Sequence, residues 1–266
     1  MDRSITPPRT GAAPRGDRNR SLERGIEVLR AFKPGTDLLG NGEIAERTGL
    51  PAATVTRLAQ TLVDSGLLQR DRSARAWRLA APVLSLAHAM RSGSPVLNVA
   101  GPLMRAEAEQ RRINVGLATA DRDEMVYLES VRYSRRVSWR NVVAGQRVPI
   151  ELTSLGRAWL ASAPAAQRNA LLASFRERRR AADWKRLHRE IEEGMRCTRE
   201  LGYCWASWQP EVTALATPFR IGESPVYVLN MSVTGGDPPA LVVERLAGPL
   251  LDLARRITAA LPPPSG

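Results

Sequence analysis

Residues 41–68, NGEIAERTGLPAATVTRLAQTLVDSGLL, decide the reading of the fold. The run divides into a short amphipathic helix over Glu43, Ile44, Ala45, Glu46 and Arg47, a break at Thr48-Gly49-Leu50, and a second helix opening at Pro51. Glycine suits the break because it enters positive φ with no Cβ penalty. Proline suits a first helical position, whose N–H has no partner in any case. Two short helices joined this way form a helix-turn-helix. In the second helix Val55, Leu58, Ala59, Leu62 and Val63 fall at i, i+3, i+4, i+7 and i+8, an apolar stripe that must pack inward. Outside that stripe lie Thr54, Thr56, Arg57, Gln60 and Thr61. Such side chains reach base edges and phosphates from a helix seated in the major groove, although the same pattern also fits the solvated face of a packed helical hairpin.

Working outward, Leu67-Leu68-Gln69-Arg70 and Ala76-Trp77-Arg78-Leu79 read as two short strands around the polar turn 71–75, a β-wing. The tip holds neither Gly nor Asn, so a loop longer than the two-residue type I′ turn is expected. From Arg47 to Arg78 the arginines are 47, 57, 70, 72, 75 and 78, against only Asp64 and Asp71 among the acids. Arg70, Arg72 and Arg75 on the wing suit a phosphate-facing surface, since neutralising phosphates and releasing their counterions supplies sequence-independent affinity.

Together, SLERGIEVL at 21–29, GEIAERTGLP at 42–51, TVTRLAQTLVDSGLLQRD at 54–71 and WRLAAPVL at 77–84 resemble the winged helix-turn-helix of the IclR family of bacterial transcriptional regulators. The opening SLERGIEVLRAF is similar to the branch controlling catabolism of aromatic compounds. The resemblance implies two domains: an N-terminal all-α winged helix-turn-helix over 21–81 and a C-terminal α+β GAF-like effector-binding domain over 97–261. A linker helix over 82–96, where protomers pair, joins them, and tails at 1–20 and 262–266 flank the whole. It also implies a homodimer or tetramer on a double-stranded DNA operator, controlled by a small organic acid.

Composition agrees. Among 266 residues the formal net charge is +12, which raises the odds of a polyanionic partner. No run approaches the ~18 apolar residues of a membrane span, and the N-terminus lacks the apolar core of a signal peptide, so a cytoplasmic protein is expected. Residues 1–20 are Pro-, Gly- and Arg-rich without periodicity and read as a disordered tail. Cys197 and Cys204 are spaced neither as CxxC nor as a zinc pattern, which leaves bystander thiols or a redox pair. The two histidines, His88 and His188, fall on predicted helices, and no cofactor or metal set is expected. The alternatives to a regulator are a small-molecule-converting enzyme or a thiol redox sensor carrying a helix-turn-helix module.

Along the rest of the chain, Ser21 is the expected cap of a first helix stopped at Pro34-Gly35. Val83, Leu86, Ala87 and Met90 share one face of the linker, and a long helix follows from 97 to 111. Strands are expected at 115–119, 125–131, 136–142, 212–219 and 226–233, with another starting at Gly202-Tyr203-Cys204-Trp205. Helices are expected at 154–163, 164–180, 184–201 and 241–261. This order implies a mixed α+β domain with helices grouped beside a sheet. The cluster Arg176, Arg178, Arg179, Arg180 reads as a solvated helix face or a second nucleic-acid surface.

For the effector, residues 153–156 offer a helix N-terminus to a carboxylate, while Thr153 and Ser154 equally suit a plain helix cap. Carried over from the family, the pocket comprises Val137, Arg140, Val148, Ser154, Leu155, Ala206 or Ser207, Thr213, Asn230 and Ser232. Strand alternation puts Asn230 and Ser232 on one face and Met231 on the other. The chain departs from the family with Ala206 and Ser207 where an Asp often follows the Gly-Tyr corner, and with Glu151 and Arg157 where His and Lys often flank the helix start. Arg140 with Trp139, Trp205 and Trp208 suits an aromatic or larger carboxylate.

Overall fold

A computed structural model describes residues 19–133, 142–209 and 211–261. Residues 1–18 of the tail expected at 1–20, the tail at 262–266, most of the strand expected at 136–142, and the pocket candidates Val137 and Arg140 lie outside the described residues, while Asn19 and Arg20 already belong to the start of the first helix. The chain divides between Leu84 and Ser85 into two compact units.

In the first unit α1 (Arg20–Arg30), α2 (Asn41–Thr48) and α3 (Ala52–Asp64) are followed by a hairpin of β1 (Leu68–Asp71) and β2 (Ala76–Leu79). Val28, Ile44, Val55, Leu58, Ala59, Leu68 and Trp77 form its core. Gly49 ends α2 in the left-handed region at φ 69°, as the break requires. Two expectations shift by a residue or two. Asn19 and not Ser21 caps α1, its side chain accepting from the Leu22 N–H at 3.1 Å. Pro51 precedes α3 instead of opening it: its ψ of 140° is extended, and its carbonyl accepts from the Val55 N–H at 3.0 Å. On α1, Val28 is buried whereas Leu22 and Ile26 are exposed.

The wing loop spans residues 72–75. Asp71 organises it, accepting from the Ser73 hydroxyl at 2.6 Å, the Ala74 N–H at 2.9 Å and Arg78 at 2.5 Å. Arg75 takes the left-handed position at φ 51° that Gly or Asn would usually fill.

The second unit is built on a six-stranded antiparallel sheet ordered β5-β4-β3-β8-β7-β6. Its strands are β3 (Asn114–Asp121), β4 (Glu124–Val131), β5 (Arg147–Pro149), β6 (Cys204–Ala206), β7 (Val212–Phe219) and β8 (Tyr227–Thr234). The short edge strand β5 carries no sequence pattern of its own. It pairs with β4, and Arg147 reaches Asp121 and Glu124, each at 2.6 Å. Helices cover both faces of the sheet and are not grouped on one side. One face packs Leu117, Leu215, Leu229 and Met231 against α5 (Pro95–Arg111) and α9 (Pro239–Ala259). The other packs Ala118, Met125, Ala216 and Val228 against α6 (Ser154–Ser162), α7 (Ala165–Glu177) and α8 (Ala181–Leu201). Both layers are needed because β3 and β8 place apolar side chains on each face, Leu117, Leu229 and Met231 on one and Ala118 and Val228 on the other.

The linker helix α4 (Pro82–Ser92) crosses the division between the units and contains no buried residue. Near its end Arg91 donates to the Leu128 carbonyl at 2.5 Å and to Glu129 at 2.7 Å on β4.

Candidate functional site

The outward side of α3 and the wing form one candidate surface. Thr56, Arg57, Gln60 and Thr61 are exposed and Thr54 is half-buried, while Arg70, Arg72 and Arg75 project from the wing. Arg57, Arg72 and Arg75 have no side-chain partner among the described residues, so their guanidinium donors remain available. The other polar groups are partly engaged. Gln60 donates to Asp64 at 3.0 Å, and the Thr61 hydroxyl donates to the Arg57 carbonyl at 3.1 Å. Thr56 accepts from the Asn41 amide at 2.8 Å, and the Arg70 guanidinium lies 5.6 Å from the centre of the Trp77 ring. The Asp71 carboxyl is held down at about 2, first by its Ser73 hydrogen bond and then by the Ala74 N–H. Its charge is therefore fixed at any physiological pH and steadies the loop carrying Arg72 and Arg75.

The second candidate is a cavity of about 270 Å³ in the larger unit. Gly116 on β3, Tyr127 and Ser130 on β4, and Asn230 and Ser232 on β8 line it, with Val212, Gln209 and Arg132 around them. Register explains the grouping: Gly116 pairs with both Ser130 and Asn230, so all three point to one face. A Cβ at Gly116 would stand 2.4 Å from the Asn230 Oδ1 and 2.5 Å from the Tyr127 ring, so only glycine leaves that space open. Asn230 is 5% exposed and its Oδ1 has no hydrogen-bond partner. Buried polar atoms are paired in all but a few cases, so an orphan lining a cavity needs an explanation. Burial pushes the Tyr127 phenol well up, with the neighbouring Asn230 amide acting the other way; it is a neutral hydroxyl.

The expected pocket residues therefore separate. Asn230 and Ser232 line the cavity. Val148, Ser154 and Leu155 are buried next to it in the α6 layer and do not line it. The Thr153 hydroxyl caps α6, accepting from the Gly156 N–H at 3.2 Å and donating to the Pro149 carbonyl at 2.8 Å. Ser207 and Thr213 do not line this cavity: Thr213 pairs with Val233, and Ala214 with Ser232, so Thr213 turns to the α9 face. Ser207 bonds Thr213 at 3.1 Å and, with Ala206, lines a separate pocket beside Arg157 and Cys204, while Ala206 pairs with Ala214 on the cavity's face. Sequence reasoning overlooked Gly116, Tyr127, Ser130 and Gln209. The one available signal was the glycine inside the strand run NVGLAT, which marks a close approach.

The remaining charged and thiol candidates are occupied. Glu151, just before α6, and Arg157, in its first turn, pair with Arg179 at 2.5 Å and Glu190 at 2.7 Å. Arg178 binds Asp123 at 2.8 Å and lies over Phe175, so this arginine cluster includes anchors of α7 and is not simply a free basic face. Cys204 is buried, which pushes its thiol up to about 11, and Cys197 is shifted upward by partial burial and Glu193. Among the described residues no group of three or more His, Cys, Asp or Glu could hold a metal ion, and no helix is long and apolar enough to cross a membrane.

Residues 21–72 match the IclR helix-turn-helix domain, and residues 88–259 match the bacterial transcriptional regulator IclR C-terminal family. The chain is 31% identical over 252 residues to the HTH-type transcriptional regulator TsaQ1/TsaQ2 of Comamonas testosteroni, covering 91% of this chain and 90% of that one. Its fold is similar to an IclR family transcriptional regulator from Brucella abortus, with a TM-score of 0.83, 33% identity and coverage of 96% and 97%. It is also similar to an IclR homolog from Microbacterium hydrocarbonoxydans complexed with 4-hydroxybenzoate, with a TM-score of 0.65, 24% identity and coverage of 90% and 98%.

Proposed function

The chain belongs to the IclR family of bacterial transcriptional regulators, and from that premise we propose that its cavity takes a hydroxyl-bearing aromatic acid that sets operator affinity. The observation that carries this reading is the buried Asn230 Oδ1 without a partner. An amide oxygen only accepts, so the ligand must present a donor there, as a hydroxyl does and an ionised carboxylate cannot. A cavity of about 270 Å³ is ample for one ring, since roughly 150 Å³ already holds benzene. Arg132 and Glu211 both line the cavity, so it carries charge of either sign, and Ser232 adds a hydroxyl. The relative complexed with 4-hydroxybenzoate supports a ligand of this class.

At the other end, Arg57 and Gln60 read bases while Arg70, Arg72 and Arg75 hold phosphates. The protein works in the cytoplasm as a homodimer or a dimer of dimers and performs no chemistry on its ligand. Leu84, Leu86 and Met90, 74%, 62% and 53% exposed along α4, support pairing of protomers at the linker. The acid changes operator binding only through different affinities for the DNA-competent and incompetent arrangements.

A thermal-shift titration tests the ligand. 4-Hydroxybenzoate should raise the unfolding midpoint with concentration more than benzoate does. Equal shifts, or none, would remove the hydroxyl-to-Asn230 assignment. Incubation of the full chain with the same acids should return them unaltered, and turnover abolished by a point substitution in the cavity would make the protein an enzyme.

A further inference from the structure

We propose that Asn41 and Trp77 are positioning residues for operator reading, forming with Thr56 a relay that sets the reading helix against the wing. The proposal rests on the DNA-reading role of α3. Trp77 is 5% exposed and sits in the middle of β2. Its indole Nε1–H donates to the Asn41 Oδ1 at 2.7 Å, and the Asn41 Nδ2 donates to the Thr56 Oγ1 at 2.8 Å. The Thr56 hydroxyl in turn donates to the Ala52 carbonyl at 3.0 Å, one turn back in α3. The direction of every bond is thereby fixed from wing to helix.

The same tryptophan holds the wing from two other sides. Its backbone pairs with Leu39, N–H to carbonyl in both directions at 3.0 and 2.9 Å. Its ring lies beneath Arg70, the residue opposite it on β1. A single indole therefore locates a phosphate-facing guanidinium and, through Asn41, the first turns of the helix that enters the groove. Side chains near a recognition helix's N-terminus are those that reach base edges, and a small misplacement there costs base contacts while leaving phosphate contacts nearly intact. Thr56 looks like a base reader by sequence, but its hydroxyl is committed to this relay.

The experiment uses the full-length chain and a duplex it enriches from a random-sequence pool, with a scrambled duplex as reference. Asn41→Ala, Trp77→Phe and Thr56→Val should each weaken binding to the enriched duplex by about 3- to 10-fold, the scale of one lost hydrogen bond. Binding to the scrambled duplex and the salt slope on both should not change, because no phosphate contact is removed. Asn41→Ala combined with Thr56→Val should cost no more than either alone, and Thr56→Ser should restore the wild-type ratio. Trp77→Phe keeps a ring beneath Arg70, so a loss in that variant reports the indole N–H. Unchanged specific affinity in both Asn41→Ala and Trp77→Phe would overturn the proposal, as would equal losses on the two duplexes. A loss confined to Thr56→Val would make Thr56 a base reader and also refute it. A chain that enriches no duplex would refute the DNA-reading premise, and the relay with it.

Discussion

Two asparagines mark the contrast between the halves of this protein. Asn41, in the DNA-reading unit, has both ends of its amide bonded within the fold, to Trp77 and to Thr56. Asn230, in the effector unit, is buried with its oxygen unpaired against a cavity. A fully satisfied polar network rigidifies its surroundings, whereas an orphaned acceptor costs free energy until a donor arrives. The first unit closes this network with its own side chains, while in the proposed function a ligand supplies the donor that Asn230 lacks.

The largest effect that would break this contrast is at Gly116. Gly116→Val should destabilise the chain by about 3 kcal/mol in denaturant unfolding and abolish any thermal shift with 4-hydroxybenzoate, because the new carbons overlap Asn230 and Tyr127. A stable variant that still binds the acid would mean that the cavity lies elsewhere. Next comes Arg57→Ala on the opposite unit, expected to weaken binding to a selected duplex by about 1 to 3 kcal/mol if it contacts a guanine, with unfolding unchanged. A mobility shift identical to wild type would take Arg57 off the reading surface.

Asn230→Leu sharpens the contrast more gently. Replacing a buried unpaired amide by an apolar group of similar shape should leave stability unchanged or raise it by about 1 kcal/mol, while ligand protection disappears. A clear loss of stability would show that Asn230 is already satisfied in the free protein. The smallest effect is at the wing. Asp71 titrates at about 2 when folded against an ordinary 3.8, so its contribution is complete above the ordinary value and is lost as pH falls through the folded one. Asp71→Asn should remove that acid-dependent step from Trp77 fluorescence between about pH 4 and pH 2, and an unchanged profile would assign the step to other groups.

Legibility also differed between the halves. The stripe Val55, Leu58, Ala59 and the glycine at 49 are local signals, since helix period and positive φ are properties of neighbouring residues. They placed α2, α3 and the wing within a residue or two. The cavity was only half legible. Asn230 and Ser232 came with the family resemblance, and alternation within β8 sets them on one face; that Thr213 and Ser207 do not line the same cavity depends on register across strands. Gly116 and Tyr127 join the cavity through pairings with β8 and β4, contacts that no local window contains.

By itself the sequence determined the helix-turn-helix with its arginine-bearing wing and the mixture of strands and helices that follows, because these rest on short-range periodicity and chain chemistry, and the family, because its motifs resemble those of known regulators. Only the tertiary structure decided that Thr56 is tied to Trp77 through Asn41, that helices cover both faces of the sheet, and that an asparagine oxygen is left unpaired beside a glycine. Those outcomes depend on which distant strands and helices come within hydrogen-bonding distance, and packing of the whole chain sets that distance.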